Sequence, residues 1–133
     1  MGIEDNKEIV AKVYEAVYSG DHKVIDELVS ENYVRHALNK TEPIIGRAMF
    51  KQKRKGEWIT KQVIAERELV MTQRVIRSIH DTEYLGMAPT GKLIEIAHIS
   101  IERVVEGQIV EGWGLADNLS FAQQVNGLPV KLN

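Results

Sequence analysis

The stretch from Gly91 to Leu119, GKLIEIAHISIERVVEGQIVEGWGLADNL, constrains this chain more than any other. It reads as two long β-strands folded back on a Glu106-Gly107 turn, a relative of the Asp-Gly and Asn-Gly turns that favour two-residue hairpins. A two-residue turn pairs Val105 with Gln108 and so sets the register. Side chains alternate between the faces of a strand. Ile94, Ile96, His98, Ser100 and Val104 are therefore expected to share a face with Ile109, Trp113, Leu115 and Asp117. In that register Asp117 lies opposite Ile96, with His98 as a diagonal neighbour roughly 7–8 Å away. A carboxylate and an imidazole on a face of Ile, Leu and Trp make Asp117 and His98 the first candidates for acid/base chemistry. Asp117 has a second reading, because it ends a strand just before the helical pattern Asn118–Val125, and Asp is a good N-cap. Asn118 can cap equally well, and Ser120 with Gln123 would complete a capping box.

Upstream, Ile9, Val10, Val13, Ala16 and Val17 recur at helical spacing, predicting a helix from about Asn6 to Ser19 that stops at Gly20. Asp21 caps a short second helix to about Leu28. Asn32–His36 reads as a strand or turn entering a loop that runs from Ala37 to Ile45. A third helix is expected from Gly46 to about Trp58, with Met49, Phe50 and Trp58 as its buried contacts. Lys61–Ala65 and Leu69–Asp81 then form a hairpin through Glu66-Arg67-Glu68, with the β-branched enrichment of strands. Helices followed by a mostly antiparallel sheet predict one α+β domain over residues 1–133, with helices packed on one face of a curved sheet.

Composition narrows the functions open to such a domain. The chain has 133 residues, a formal charge of −2 and no cysteine. That length buries a core without staples, and the charge gives no electrostatic footprint for nucleic acid. Thiol catalysis and thiolate metal sites are excluded. No apolar run has the length of a signal-peptide core or a membrane span, so the chain is expected to be soluble, cytoplasmic and without membrane partners. Asn39-Lys40-Thr41 matches a glycosylation sequon but carries no weight without a secretory signal. No pair of the histidines has metal-ligand spacing, and Gly112-Trp113-Gly114 lacks the context of a dinucleotide fingerprint. Tyr14, Tyr33, Tyr84, Trp58 and Trp113 are candidates for an aromatic pocket, and His36 leaves an extended segment near its mouth.

The strings Tyr84–Lys92, Ile99–Arg103, Gly107–Trp113 and Asp117-Asn118 together resemble the SnoaL-like polyketide cyclases, within the nuclear transport factor 2-like superfamily. Gly112 departs from that pattern, standing where many members have His before the Trp, and Ala88 stands where a second Pro is common. The resemblance implies a cone-shaped curved antiparallel sheet on N-terminal helices, a cystatin-like α+β barrel. It implies a cofactor-independent, metal-free enzyme in which an Asp on the last strand is the general acid/base of an intramolecular aldol ring closure. Asp117 matches that position. With the register above, it gives an expected site of Asp117 and His98 as catalytic groups, and Trp113, Leu115, Ile96, His36 and Tyr14 around an apolar or polyketide-like ligand. A non-catalytic small-molecule binder, or an isomerase or hydrolase on the same scaffold, is the alternative. Ala97, Ile99, Ile101, Val110 and Ala116 make the other sheet face apolar too, which predicts a homodimer through the sheet.

Overall fold

The computed structural model describes residues 2–38 and 40–126, so Asn39 of the sequon lies outside the described residues. Helix α1 (Ile3–Ser19) and helix α2 (His22–Leu28) lead into strand β1 (Val29–Ala37) and a short strand β2 (Ile44–Ile45). Four long strands follow, β3 (Glu57–Glu66), β4 (Leu69–Ile79), β5 (Leu93–Val105) and β6 (Gln108–Ala116), and helix α3 (Asn118–Asn126) completes the described chain. The sheet order is β2-β1-β6-β5-β4-β3.

This sheet corrects the expected architecture. It is mixed rather than antiparallel, because β1 runs parallel to β6. It is also open: β2 and β3 are its edges, and it is neither closed into a barrel nor strongly curled. The α+β class stands, and the cone-shaped barrel does not.

The expected third helix is corrected as well. Only Ala48–Lys51 forms a single 3-10 turn, and Trp58 already belongs to β3. The chain already leaves the helical region at Gln52, whose ψ of 135° is extended. Gly56 then adopts φ +98°, a left-handed conformation that favours glycine and bars a helix from running on to Trp58. A Cβ at that position would overlap the Arg77 carbonyl of the neighbouring strand.

The Glu106-Gly107 turn forms with both residues at positive φ, 49° and 80°, and Val105 pairs with Gln108 as the sequence requires. One residue later the expectation fails. Val104 pairs with Ile109 but Arg103 pairs with Glu111, so Val110 is an extra residue, a β-bulge. Since side chains alternate with a period of two, that single insertion reverses the face of every later residue of β6. His98 stands opposite Ala116, Ser100 opposite Gly114 and Glu102 opposite Gly112. Trp113, Leu115 and Asp117 pass to the other face, together with Ile101, Ile99 and Ala97.

The helices lie on the His98 face. Helix α1 buries Val10, Val13 and Val17 against Tyr33, Val70, Val104 and Ile109, with Ile25 of α2 and Phe50 closing the cluster. Helix α3 packs Phe121 and Val125 on Ile94 and Ile96 at the far end of β5. Each fully buried side chain of this size contributes about 1.5–3 kcal/mol. Between these two apolar clusters the sheet presents a row of polar side chains instead.

Candidate active site

That row begins with Glu102. It is fully buried, and its carboxylate accepts hydrogen bonds from Tyr14 Oη, Tyr33 Oη (2.9 Å) and Arg35 Nη1 (2.7 Å). Two glycines of β6 make room for it. A Cβ on Gly112 would overlap Tyr33 Oη and Glu102 Oε2, and one on Gly114 would overlap the Arg35 guanidinium. Burial raises the Glu102 carboxyl above the usual carboxylate range, against the pull of Arg35 and the two phenols. Burial, reinforced by Glu102, also raises Tyr14 and Tyr33, so both phenols stay protonated. Burial alone would loosen the proton of Arg35. Tyr14, Glu102 and Tyr33 around it prevail, and its guanidinium holds its charge more firmly than usual.

Arg74 of β4 is equally buried and has no carboxylate partner among the described residues. Its guanidinium lies 3.9 Å from the centre of the Trp58 ring and 4.6 Å from that of Tyr14, a cation–π contact with both rings of a stacked pair. Its Nη1 donates to Nδ1 of His98 at 2.7 Å. A guanidinium only donates, so Nδ1 must be the accepting nitrogen and Nε2 carries the hydrogen. Burial, and then the charges of Arg74, Arg35 and Arg54, push His98 down to about 3. Burial likewise lowers Arg74, to about 10, which leaves it charged at neutral pH.

Beside this row lies a cavity of about 170 Å³. Its walls include Tyr14, Arg35, Trp58, Tyr84, Ile96 and His98. With Nδ1 committed to Arg74, the Nε2–H of His98 is the ring group left for a ligand. A larger open groove of about 500 Å³ runs between α1 and β3, sharing Tyr14 and Trp58 with the cavity. Among the described residues no cluster of three or more His, Asp or Glu could hold a metal ion.

Three of the sequence-derived site residues thus meet in the cavity: His98, Ile96 and Tyr14. The other four do not. Trp113 stacks on His36 on the outer face, with ring centres 5.4 Å apart, and His36 Nε2 pairs with Glu111 there at 2.8 Å. Leu115 is 48% exposed. Asp117 is exposed, and its Oδ1 accepts the backbone N–H of Ser120 at 3.0 Å, which makes it the N-cap of α3. The Val110 bulge accounts for the displacement of Trp113, Leu115 and Asp117. Of the aromatic-pocket candidates, Tyr14, Trp58 and Tyr84 line this cavity and Tyr33 joins the Glu102 network behind it. Arg35, Arg74 and Glu102 were not singled out as site residues from sequence, although His98, Ser100 and Glu102 alternate along β5 as a polar face opposite two glycines.

Comparison with known proteins places this architecture. The family model for SnoaL-like polyketide cyclase matches residues 8–125. The chain belongs to that family. Its fold is shared by a candidate SnoaL-like polyketide cyclase from Jannaschia sp. CCS1, at 17% identity over 96% of this chain and 95% of that one, with a TM-score of 0.82. IdmH, a candidate polyketide cyclase from Streptomyces antibioticus, is 26% identical over 92% of this chain and 99% of its own, with a TM-score of 0.72. AclR from Streptomyces galilaeus, a candidate hydroxylase, has the same fold at 17% identity, covering 99% of this chain and 87% of its own, with a TM-score of 0.78. No curated protein sequence matches this SnoaL-like chain.

The environment of His98 makes folding depend on pH. Unfolded, its imidazole titrates near 6.5, whereas in the fold it resists protonation down to about 3. Within that window the unfolded chain binds a proton that the folded chain does not, so stability falls as pH drops from about 6.5, by up to ~1.4 kcal/mol per pH unit. Chemical denaturation from pH 7 to 4 should therefore show a shallower acid decline in His98→Gln than in the wild type. Parallel declines would show that His98 is not held neutral.

Proposed function

We propose that this SnoaL-like protein is a cofactor-independent enzyme acting on a carbonyl group of a small, largely apolar molecule, in the manner of ring closure through an enolate. The observation that carries the reading is a neutral His98, its Nδ1 held by Arg74, on the wall of a cavity lined mainly by aromatic and aliphatic side chains. A neutral imidazole can polarise a carbonyl by donating a hydrogen bond, and it holds the oxygen as negative charge develops there. Arg74 strengthens that donor by withdrawing electron density at Nδ1. His98 is thus an electrophilic group and not a proton shuttle, since Nδ1 is occupied and Nε2 already carries a hydrogen.

Proton removal falls to Tyr14 and Glu102. Tyr14 lines the cavity and its Oη donates to Glu102. It takes a proton from the carbon beside the carbonyl while passing its own to the carboxylate, and the reverse relay protonates the alkoxide formed on ring closure. Burial, by raising Glu102, brings its affinity for a proton nearer the working pH. Asp117 fills the position that the family pattern gives to the acid/base. Here that role would require its side chain to leave the α3 cap.

The reading is tested by following exchange of the α-protons of 2-tetralone in D2O by NMR. Wild-type protein should accelerate exchange, and Tyr14→Phe should slow it on the order of 10²-fold or more. Asp117→Asn should stay within a factor of about two, because Asn caps as well as Asp. No acceleration by the wild type would leave the binding-protein reading. Loss in Asp117→Asn with Tyr14→Phe unaffected would return proton transfer to Asp117.

We also propose a homodimer through the outer sheet face. All three helices pack on the His98 side, while Ile99 (46% exposed) and Leu115 (48% exposed) stand paired on the other. The bulge alters the composition of that face: Ala116 turns inward, and Leu115 joins Ile99 in its place. A second copy offers the same apolar strip, the self-complementary arrangement of a two-fold interface. Leu115→Glu should convert a dimer into a monomer in sedimentation equilibrium at micromolar concentration. A monomeric wild type would contradict this assembly.

A further inference from the structure

The charges around the cavity do not balance. Glu102 is the one carboxylate buried beside it among the described residues, and it is committed to Arg35 with both phenols. Arg74 is a second buried guanidinium and, unlike Arg35, has no carboxylate partner among the described residues, and the exposed Arg54 adds a further positive charge at the cavity wall. No Asp or Glu belongs to that wall. Buried charges are ordinarily paired, because an unpaired one keeps most of its desolvation penalty. Three polar atoms point the same way: Arg74 Nε and Nη2, and Ser100 Oγ on the same face of the next strand, are buried without hydrogen-bond partners among the described residues.

We propose that the cavity is built for a monoanion, a ligand carrying one ionised oxygen, carboxylate or enolate, on an apolar ring. The inference rests on the cavity being the ligand site, as in the reading above, and adds the charge class of what enters it. The aromatic rings of Tyr14, Trp58 and Tyr84 take the ring of the ligand. The surplus positive charge of Arg74, relayed through the His98 Nε2–H, meets the ionised oxygen. His98 reports the same field, because Arg74, Arg35 and Arg54 all disfavour its protonation. A neutral ketone gains from that field only as charge develops during reaction, whereas an ionised ligand gains on binding.

Two probes test the proposal in the wild-type protein. The first is 4-nitrophenol, whose absorbance reports its own ionisation. Bound to the cavity, its pKa should fall by about 1–3 units, the effect of a nearby opposite charge. An unchanged or raised value would mean that desolvation dominates and would overturn the proposal. The second is benzoate against methyl benzoate, which separates a carboxylate from an enolate-like oxygen. Benzoate should displace nitrophenol at a concentration at least tenfold lower than its ester, one pKa unit of interaction. If nitrophenol ionises and the ester competes as well as benzoate, the site is specific for enolates; if neither preference exists, the surplus charge plays no part in binding. Arg74→Met, checked by circular dichroism, should erase both preferences while neutral methyl benzoate still binds. Preferences that survive in a folded Arg74→Met variant would also overturn the assignment. Failure of every probe to bind removes the cavity as a ligand site. Binding without anion preference leaves the carbonyl chemistry standing and removes only this inference.

Discussion

The buried ion pair between Arg35 and Glu102 organises the rest of this molecule. Two charges at 2.7 Å, almost entirely removed from water, lose hydration that their mutual attraction restores only when their remaining hydrogen-bonding positions are filled. Tyr14 and Tyr33 fill those positions from α1 and β1, so the pair fastens the first helix and the first strand to the middle of β5. The glycines at 112 and 114 follow from the same requirement, since any side chain there would occupy the space of the network. Gly112 therefore marks more than the loss of a polar group. It is the room in which Glu102 and Tyr33 meet.

A second arginine turns this structural network into a site. Arg74 is held by rings and not by a carboxylate, and it spends one donor on His98. That bond selects the tautomer of the imidazole, and burial together with the charge of Arg74 keeps it neutral. The polar centre of the sheet thus divides in two: Arg35 and Glu102 are paired and fasten the fold, while Arg74 keeps its charge beside aromatic rings and His98, bonded to it through Nδ1, lines the cavity. The aromatic rings between them belong to both halves, which is how Tyr14 comes to touch a carboxylate and line a cavity at once.

Much of this arrangement was legible in the sequence. The helical stripe of α1, the two-residue turn at Glu106-Gly107 and the length of β5 followed from periodicity and turn chemistry. So did the placement of His98 and Ile96 on the helix-covered face. Trp113, Leu115 and Asp117 were misplaced by one residue. A bulge at Val110 leaves no composition signal, yet it exchanges the faces of Gly112, Trp113, Gly114, Leu115 and Asp117. With the faces exchanged, an apparent site of Trp113, Leu115 and Asp117 becomes an outer surface and a helix cap. The glycines, which pattern alone marks only as a bend or a close approach, become the inner wall. Arg35 and Arg74 stayed hidden for a different reason: arginine in a strand reads as an exposed residue unless its partners, distant in sequence, are known. The barrel expectation failed because closure is a property of strand pairing, and the two edge strands, β2 and β3, do not pair with each other.

The central claim is that His98 is a neutral imidazole with its hydrogen on Nε2, fixed there by Arg74. Nitrogen chemical shifts of the histidine ring, recorded on 15N-labelled protein through their couplings to the ring protons, read this directly. The account predicts that at pH 7 the His98 Nδ1 resonates as an unprotonated, accepting nitrogen and Nε2 as a protonated one. That pattern should persist at pH 5, where an ordinary histidine is cationic. A hydrogen on Nδ1 at pH 7, or a cationic ring at pH 6, would contradict it.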